Sequence, residues 1–152
     1  MAGCLRAGAA TRLIQISTDF VFDGTKTSPY LPQDEPRPLG VYGASKLEGE
    51  LAVLELMPDR CLVVRTSWLY SAHRSNFVRT MLRLIDERDE VGVVSDQVGS
   101  PTWAQGLAQA IWHWVEMPEA VGIRHWTDAG EASWYDLAMA IRQEAVDLGI
   151  IP

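Results

Sequence analysis

The sequence contains little of what several common protein classes require. Its 152 residues include only two cysteines and three histidines, and their spacings match no zinc site, redox pair or disulfide framework. Lysine and arginine together number 13 against 20 aspartates and glutamates, and the resulting net charge of −7 argues against a nucleic-acid partner. We therefore expect no metal site and no DNA or RNA ligand.

Long apolar runs are also missing. No stretch approaches the roughly 20 apolar residues that cross a bilayer, and residues 1–10 lack the apolar core of a signal peptide. These absences predict a cytoplasmic protein with no membrane partner. Hydrophobic residues still make up 47% of the chain and charged residues 22%, a balance typical of a folded domain. We expect residues 1–152 to form a single domain.

Short β-rich runs recur along the chain and predict strands. The first three are dense in Val, Ile and Leu, as buried parallel strands are. The four predicted strands are Leu13 to Ser17, Cys61 to Arg65, Val91 to Ser95 and Gly122 to Trp126. Helical patterns alternate with them. This alternation predicts an α/β fold with a parallel sheet, because parallel neighbours need a crossover that covers the sheet faces.

Four helices and one long loop complete the predicted organisation. Two helices are predicted by apolar spacings of three and four: Leu47, Leu51 and Leu54 before Pro58, then Phe77, Met81, Leu84 and Ile85. Two more are predicted by capping boxes: Thr102 with Gln105, and Ser133 with Asp136, with Gly149 ending the last helix. Four prolines between Phe22 and Tyr42 predict an irregular loop of the kind that often covers an active site.

Tyr42 and Lys46 form the first candidate for chemistry. They are four residues apart at the start of a predicted helix, so both side chains would lie on one face, one turn apart. A nearby ammonium favours the phenolate form of a tyrosine and makes the phenol a better proton donor near neutral pH. Tyr-x-x-x-Lys also occurs by chance in many helices, so the pair needs a second signal.

Thr18 supplies a second signal at the end of a predicted strand. Ser17, Thr18 and Asp19 lie where open α/β sheets place their ligands, at the carboxyl ends of the strands. The Thr18 hydroxyl can donate to a carbonyl oxygen. The alternative is an ordinary strand-end turn, in which these residue types cap the local backbone.

Five ordered motifs run across nearly the whole chain. The first two are ISTDFVFDG, from Ile16, and PLGVYGASKLEGE, from Pro38. The later ones are RTSWLY from Arg65, DQVGSPT from Asp96 and SWYD from Ser133. In this order they resemble the motifs of the dTDP-4-dehydrorhamnose reductase family of extended short-chain dehydrogenases/reductases. The resemblance implies a partial Rossmann-like parallel sheet with flanking helices.

The resemblance also implies an activity and a set of site residues. Members of the family reduce the C4 ketone of a dTDP-6-deoxyhexulose with NADPH or NADH to give dTDP-L-rhamnose. By matched position, Tyr42 would protonate the developing alkoxide, Lys46 would tune Tyr42 and hold the nicotinamide ribose, and Thr18 would polarise the ketone. Tyr42 and Lys46 are thus also the implied cofactor contacts.

Substrate contacts are implied by the same resemblance at Asp19, Phe20, Trp68 and Gln97. Core packing is the alternative for Trp68, and a turn is the alternative for Gln97. The family often has tyrosine where this chain has Phe20, which cannot hydrogen-bond a sugar hydroxyl.

The family's Gly-rich cofactor turn has no match in this sequence. Such a turn holds the dinucleotide pyrophosphate at a helix N-terminus. We therefore expect an incomplete NADPH or NADH site, weak dinucleotide binding by the chain alone, and self-association or a partner chain that covers the incomplete sheet.

Three interpretations of the chain stay open at this point. It is a truncated reductase or a piece of one, a reductase whose start codon was misassigned, or a non-catalytic regulatory subunit. The last resembles the β subunit of methionine adenosyltransferase, which shares the fold family but serves as a partner to another enzyme.

Overall fold

A computed structural model describes residues 11–151, and their backbone contacts divide into two compact units. The first unit comprises residues 11–66 and 109–126, and the second comprises residues 67–108 and 127–151. Within the described range, no helix is long and apolar enough to cross a membrane. The prediction of one domain over residues 1–152 stays a prediction.

The first unit is built on a three-stranded parallel sheet. Its strands are β1, Leu13–Thr18; β2, Cys61–Thr66; and β6, Gly122–His125, in the order β1-β2-β6. The register pairs Ser17 with Arg65 and Thr18 with Thr66. Every residue of β2 is buried, because this strand has a neighbour on each side. Three of the four predicted strands and the α/β class are thereby confirmed.

Helix α1, Val41–Leu56, packs on this sheet and follows the irregular proline-rich loop. Its buried residues are Gly43, Glu50 and Val53. Val53 joins a core cluster with Met57, Cys61 and Val63. The helix predicted from Leu47, Leu51 and Leu54 is confirmed; Leu54 packs against this cluster, whereas Leu51 is 59% exposed. The buried face also carries the charged residue Glu50, which an apolar periodicity cannot reveal.

The second unit has two short two-stranded sheets and two helices. Its strands are β3, Leu69–Tyr70, parallel to β5, Thr102–Trp103, and β4, Val98–Gly99, antiparallel to β7, Ala132–Ser133. The helices are α2, Phe77–Glu87, and α4, Trp134–Asp147. Helix α3, Ala104–Val115, begins in the second unit and ends in the first.

The core of the second unit lies where α2 meets α4. Met81, Ala138 and Ile141 form its buried centre, and partly buried apolar residues surround them: Phe77, Val78, Leu82, Leu84, Ile85, Val91, Val93 and Leu137. The predicted α2 stripe is thus confirmed.

The caps of α4 follow the sequence pattern. The Ser133 hydroxyl accepts from the Asp136 amide at 3.0 Å, and the Asp136 carboxylate accepts from the Ser133 amide at 2.9 Å. Gly149 lies beyond the C-cap with φ +66, a left-handed conformation that glycine adopts without strain. The predicted capping box and helix end are both confirmed.

Two local predictions were wrong. Residues 91–95 form no strand: Val91 and Val93 pack on the α2–α4 core, and the Val94 carbonyl accepts from the Tyr135 amide. An extended segment with alternating burial resembles a strand in sequence even when it has no ladder partner. Thr102 does not cap α3, because it lies in β5 and its buried hydroxyl has no hydrogen-bond partner among residues 11–151.

Candidate active site

The carboxyl end of β1 carries the first predicted site residues. Thr18, the last residue of β1, is buried, and its hydroxyl accepts from the Phe20 amide at 3.2 Å and donates to Asp19 Oδ1 at 3.1 Å. A 3₁₀ turn, Asp19–Val21, follows and leaves Phe20 59% exposed. Burial raises the pKa of the Asp19 carboxyl, although its hydrogen bond from Thr18 acts in the opposite direction. The Thr18 hydroxyl is thus held in a defined orientation by Asp19.

Tyr42 and Lys46 lie on α1, in its first two turns. Tyr42 is 60% exposed, and its ring meets the edge of Phe20 with centroids 6.0 Å apart. The Lys46 ammonium donates to the Ile16 carbonyl at 2.7 Å, which leaves two of its N–H groups for other acceptors. Thr18, Asp19, Phe20, Tyr42 and Lys46 therefore belong to one end of one unit.

Gly43 allows α1 to approach the turn after β1. A β-carbon on Gly43 would clash with the Phe20 carbonyl oxygen and lie 2.9 Å from its carbonyl carbon. Because these obstacles are backbone atoms, no side-chain rotation can make room. The glycine between Tyr42 and Lys46 is thus a requirement of the close helix-to-turn contact.

We expect Gly43→Ala to lower the free energy of unfolding by about 2 kcal/mol or more, because an added methyl group must displace backbone. Urea unfolding measures the change. Gly49→Ala is the matched control in the same helix, since its β-carbon would meet only the end of the Gln15 side chain, at 3.1 Å. That control should be neutral or stabilising by up to about 1 kcal/mol, as alanine favours helices. Equal effects of the two substitutions would contradict the close-contact interpretation.

A buried ion pair lies behind these residues and was not among the predicted site residues. Arg65 Nε donates to the two Glu50 carboxylate oxygens at 3.1 and 3.2 Å, and Arg65 Nη2 lies 2.6 Å from Oε2. The Ser17 hydroxyl donates to Glu50 Oε1. One signal could have revealed the pair: Arg65 interrupts an apolar strand, and buried charges are almost always paired.

The Arg65 guanidinium also meets aromatic groups. Its Cζ lies 5.0 Å from the centroid of the Phe22 ring. Phe22 in turn stacks on Tyr30, with the two ring centroids 4.2 Å apart. His125 meets the edge of Phe22, and its Nδ1 donates to the Tyr30 carbonyl at 3.2 Å. Burial lowers the pKa of His125, and the positive charge of Arg65 lowers it further.

This lowered pKa predicts a pH dependence of stability. The unfolded imidazole has a pKa near 6.5, so as the pH falls below that value the unfolded chain binds a proton before the folded one does. We therefore expect the melting temperature to fall between about pH 6.5 and 5.5. His125→Asn should flatten this dependence, while His113→Asn, at an exposed position, should keep it. Thermal unfolding at a series of pH values tests this, and an unchanged profile for His125→Asn would contradict it.

Trp68 and Gln97, the remaining predicted substrate contacts, lie in the second unit. Gln97 is exposed, and its side-chain oxygen accepts from Trp134 Nε1 at 3.3 Å. Trp68 has φ +46, an uncommon backbone conformation for a bulky residue that surrounding contacts must hold. Such strain is concentrated at functional sites.

The Trp68 ring is covered on both faces. Trp134 stacks on one face with centroids 3.6 Å apart and planes inclined by 10°. A β-carbon on Gly99 would lie 2.7 Å from Cε2 and 2.9 Å from Cζ2 and Nε1, which places Gly99 over the other face. A substrate contact through a face of the Trp68 ring would therefore need one of these faces to open.

We expect Gly99→Ala to separate the two tryptophans, because its methyl group would occupy the space of the Trp68 ring. The free energy of unfolding should fall by about 1–3 kcal/mol. The near-ultraviolet circular dichroism of the stacked pair should fall as well. Gly92→Ala is the control, since no atom of the described part of the chain would lie within 4 Å of its β-carbon, and its effect should stay within about 0.5 kcal/mol. Unchanged near-ultraviolet dichroism in Gly99→Ala would contradict the packing described.

Comparisons with known proteins agree with this architecture. The model of the RmlD substrate binding domain matches residues 2–148. A dTDP-4-keto-6-deoxy-D-glucose reductase of Streptomyces niveus is 50% identical over 91% of this chain and 48% of its own length. A dTDP-4-dehydrorhamnose reductase of Burkholderia thailandensis is 48% identical over 84% of this chain and 45% of its own length.

A solved structure extends the likeness to three dimensions. The dTDP-4-dehydrorhamnose reductase of Bacillus anthracis, in complex with NADP, has a TM-score of 0.84 and 41% identity over 89% of this chain and 48% of that protein. The chain belongs to the RmlD substrate binding domain family. It spans about half the length of the curated relatives it matches.

Proposed function

We propose that this chain carries the proton-donating and substrate-binding part of a reductase that converts the 4-keto group of a dTDP-6-deoxysugar to an alcohol with NADPH. The observation that carries the proposal is the placement of Tyr42 and Lys46 on α1, against the turn that follows Thr18. The reductase names of the relatives, and the NADP in one of them, support the substrate class and the cofactor.

Tyr42 is the proposed proton donor. Its exposed phenol can reach a ligand, whereas the neighbouring Phe20 ring offers only an apolar edge. When bound, NADPH supplies a hydride to the carbonyl carbon. The Tyr42 hydroxyl then gives its proton to the carbonyl oxygen, so that the ketone becomes a secondary alcohol and the phenolate is reprotonated from solvent.

Lys46 has two proposed roles. Its bond to the Ile16 carbonyl fixes the ammonium one helical turn from Tyr42, where a positive charge stabilises the phenolate left after proton transfer. Its remaining N–H groups can hold the hydroxyls of a nicotinamide ribose, together with Tyr42. The residues present therefore fit the nicotinamide end of the cofactor.

Thr18 is proposed to polarise the ketone. Its hydroxyl donates to Asp19 in this structure, and rotation about the Cβ–Oγ1 bond would let it donate to a ketone oxygen instead. Asp19 and Phe20 are the proposed sugar contacts of the first unit, while Trp68 and Gln97 stay predicted sugar contacts of the second unit taken by itself. We also propose that β1, which among the described residues pairs only with β2, is covered by a further strand from another copy or another chain.

The test is a reductase assay with NADPH and two substrates, dTDP-4-dehydrorhamnose and dTDP-4-keto-6-deoxy-D-glucose. NADPH oxidation is followed at 340 nm and the product is identified by mass spectrometry and NMR. We expect a C4 alcohol from at least one of the two sugars. If a preparation of the protein that binds NADPH reduces neither sugar, the result contradicts the proposal and favours a non-catalytic role.

A further inference from the structure

Two polar side chains of α1 hold consecutive residues of β1. Lys46 and Glu50 are four residues apart and thus lie on the same face of the helix. Lys46 Nζ donates to the Ile16 carbonyl at 2.7 Å, and the Glu50 carboxylate accepts from the Ser17 hydroxyl. The next residue of the strand is Thr18. These two contacts therefore set the rotation of α1 about its axis and its position along that axis relative to β1, next to the candidate site.

Glu50 is held from the neighbouring strand as well. The sheet register pairs Ser17 of β1 with Arg65 of β2, and both side chains reach the same carboxylate. Glu50 is 0% exposed and Arg65 is 3% exposed. One carboxylate thus joins one helix and two adjacent strands in the interior of the first unit.

Stability alone is a weak reason for such a pair. Removing two charges from water is costly, and well-packed apolar residues of similar volume often serve a fold equally well or better. What an apolar pair cannot supply is direction: a carboxylate with three donors has one favourable orientation, whereas apolar contacts tolerate small rotations and shifts. A shift of α1 by one residue would turn it by about 100° and move it by about 1.5 Å, and would break both contacts to β1.

We propose that Glu50 is a positioning residue for the reductase chemistry: held by Arg65 and Ser17, it keeps Tyr42 and Lys46 in a fixed register with Thr18. The inference rests on the function proposed above. Glu50 acts through α1 and needs no contact with substrate or cofactor. The close approach of Gly43 to the Phe20 backbone supports the same register at the start of the helix.

The decisive variant replaces both charges with apolar residues, Glu50→Leu together with Arg65→Met, in a form of the protein that reduces the sugar ketone. We expect the melting temperature to recover toward the wild-type value relative to Arg65→Met alone, because no unpaired charge remains. We expect kcat to stay about 10- to 100-fold below wild type, with KM for both substrates within about threefold, because the loss concerns orientation rather than binding. A recovered melting temperature with kcat within about twofold of wild type would overturn the proposal.

A milder variant keeps the proposal testable if the double substitution fails to fold. Ser17→Ala removes only the link between Glu50 and β1 and leaves the Glu50–Arg65 pair in place. It should lower kcat by about 3- to 10-fold at unchanged KM. An unchanged kcat would count against a positioning role. The exposed pair Arg83–Glu87 on α2 is the control, and Arg83→Met with Glu87→Leu should change neither quantity.

A measurement without activity separates this inference from the proposed function. Amide hydrogen exchange of residues 45–47 in the full chain should be about 10-fold faster in the Glu50→Leu, Arg65→Met variant than in the wild type, because α1 is no longer held in one register. Unchanged exchange would overturn the positioning role even in an active enzyme. If the wild type reduces no sugar ketone but amide exchange is faster in the variant, the proposed function is overturned and the role of Glu50 in holding α1 stands.

Discussion

Replacing Tyr42 with phenylalanine should lower kcat for ketone reduction by about 100- to 10,000-fold, the usual contribution of a positioned general acid. KM for the sugar nucleotide should change far less, because the hydroxyl acts mainly in the transition state. The fold should be unaffected. Tyr42 is 60% exposed, and phenylalanine keeps the ring that meets Phe20.

Steady-state kinetics and the melting temperature together test this expectation. Tyr135→Phe is the matched control, since Tyr135 is also a helical tyrosine and is 48% exposed. It should keep wild-type kinetics. If Tyr42→Phe retains kcat within about twofold of wild type while the protein is active, Tyr42 is not the proton donor.

Replacing Arg65 with methionine should lower the free energy of unfolding by about 3–5 kcal/mol, because the Glu50 carboxylate would stay in the interior without its cationic partner. Glu50 is 0% exposed, so water cannot take the place of the guanidinium without a local rearrangement. This is the largest stability effect that we expect from a single substitution in the first unit. Urea unfolding followed by circular dichroism measures it.

Arg83→Met is the surface comparison for this prediction. Arg83 and Glu87 have side chains 58% and 50% exposed, and such pairs contribute about 0–1 kcal/mol. The difference between the two substitutions isolates the effect of burial on the same residue type. A loss below about 1 kcal/mol in Arg65→Met would mean that the Glu50–Arg65 pair is weakly coupled to folding.

Local chemistry explains which predictions from the sequence were confirmed. Ser133 and Asp136 form their capping box, and Gly149 ends α4, because these features involve residues within one helical turn. The predicted β1 and β2 also form, since dense Val, Ile and Leu suit buried parallel strands. The predicted β6 has one isoleucine and forms as the parallel neighbour of β2. Residues 91–95 failed because strand formation needs a partner at hydrogen-bonding distance, and periodicity carries no information about partners.

Some features of the candidate site could be predicted from the sequence, and others were revealed only by the structure. Tyr42, Lys46 and Thr18 could be selected from their spacing, their place in the chain and the family resemblance. The Glu50–Arg65 pair was missed, because it joins residues 15 apart in the chain through the packing of α1 on β2. The covered faces of Trp68 were missed for a similar reason, since Gly99 on β4 and Trp134 on α4 are far from Trp68 in the chain.

The sequence by itself determined the α/β class, both ends of α4, the candidate catalytic residues and the family, because periodicity, caps and motifs are properties of residues close together in the chain. Only the tertiary structure decided which face of α1 meets the sheet, that Glu50 and Arg65 are buried as a pair, and that Trp68 is enclosed. Burial and pairing depend on contacts between distant segments, and the energy of a charge or a ring changes with what surrounds it.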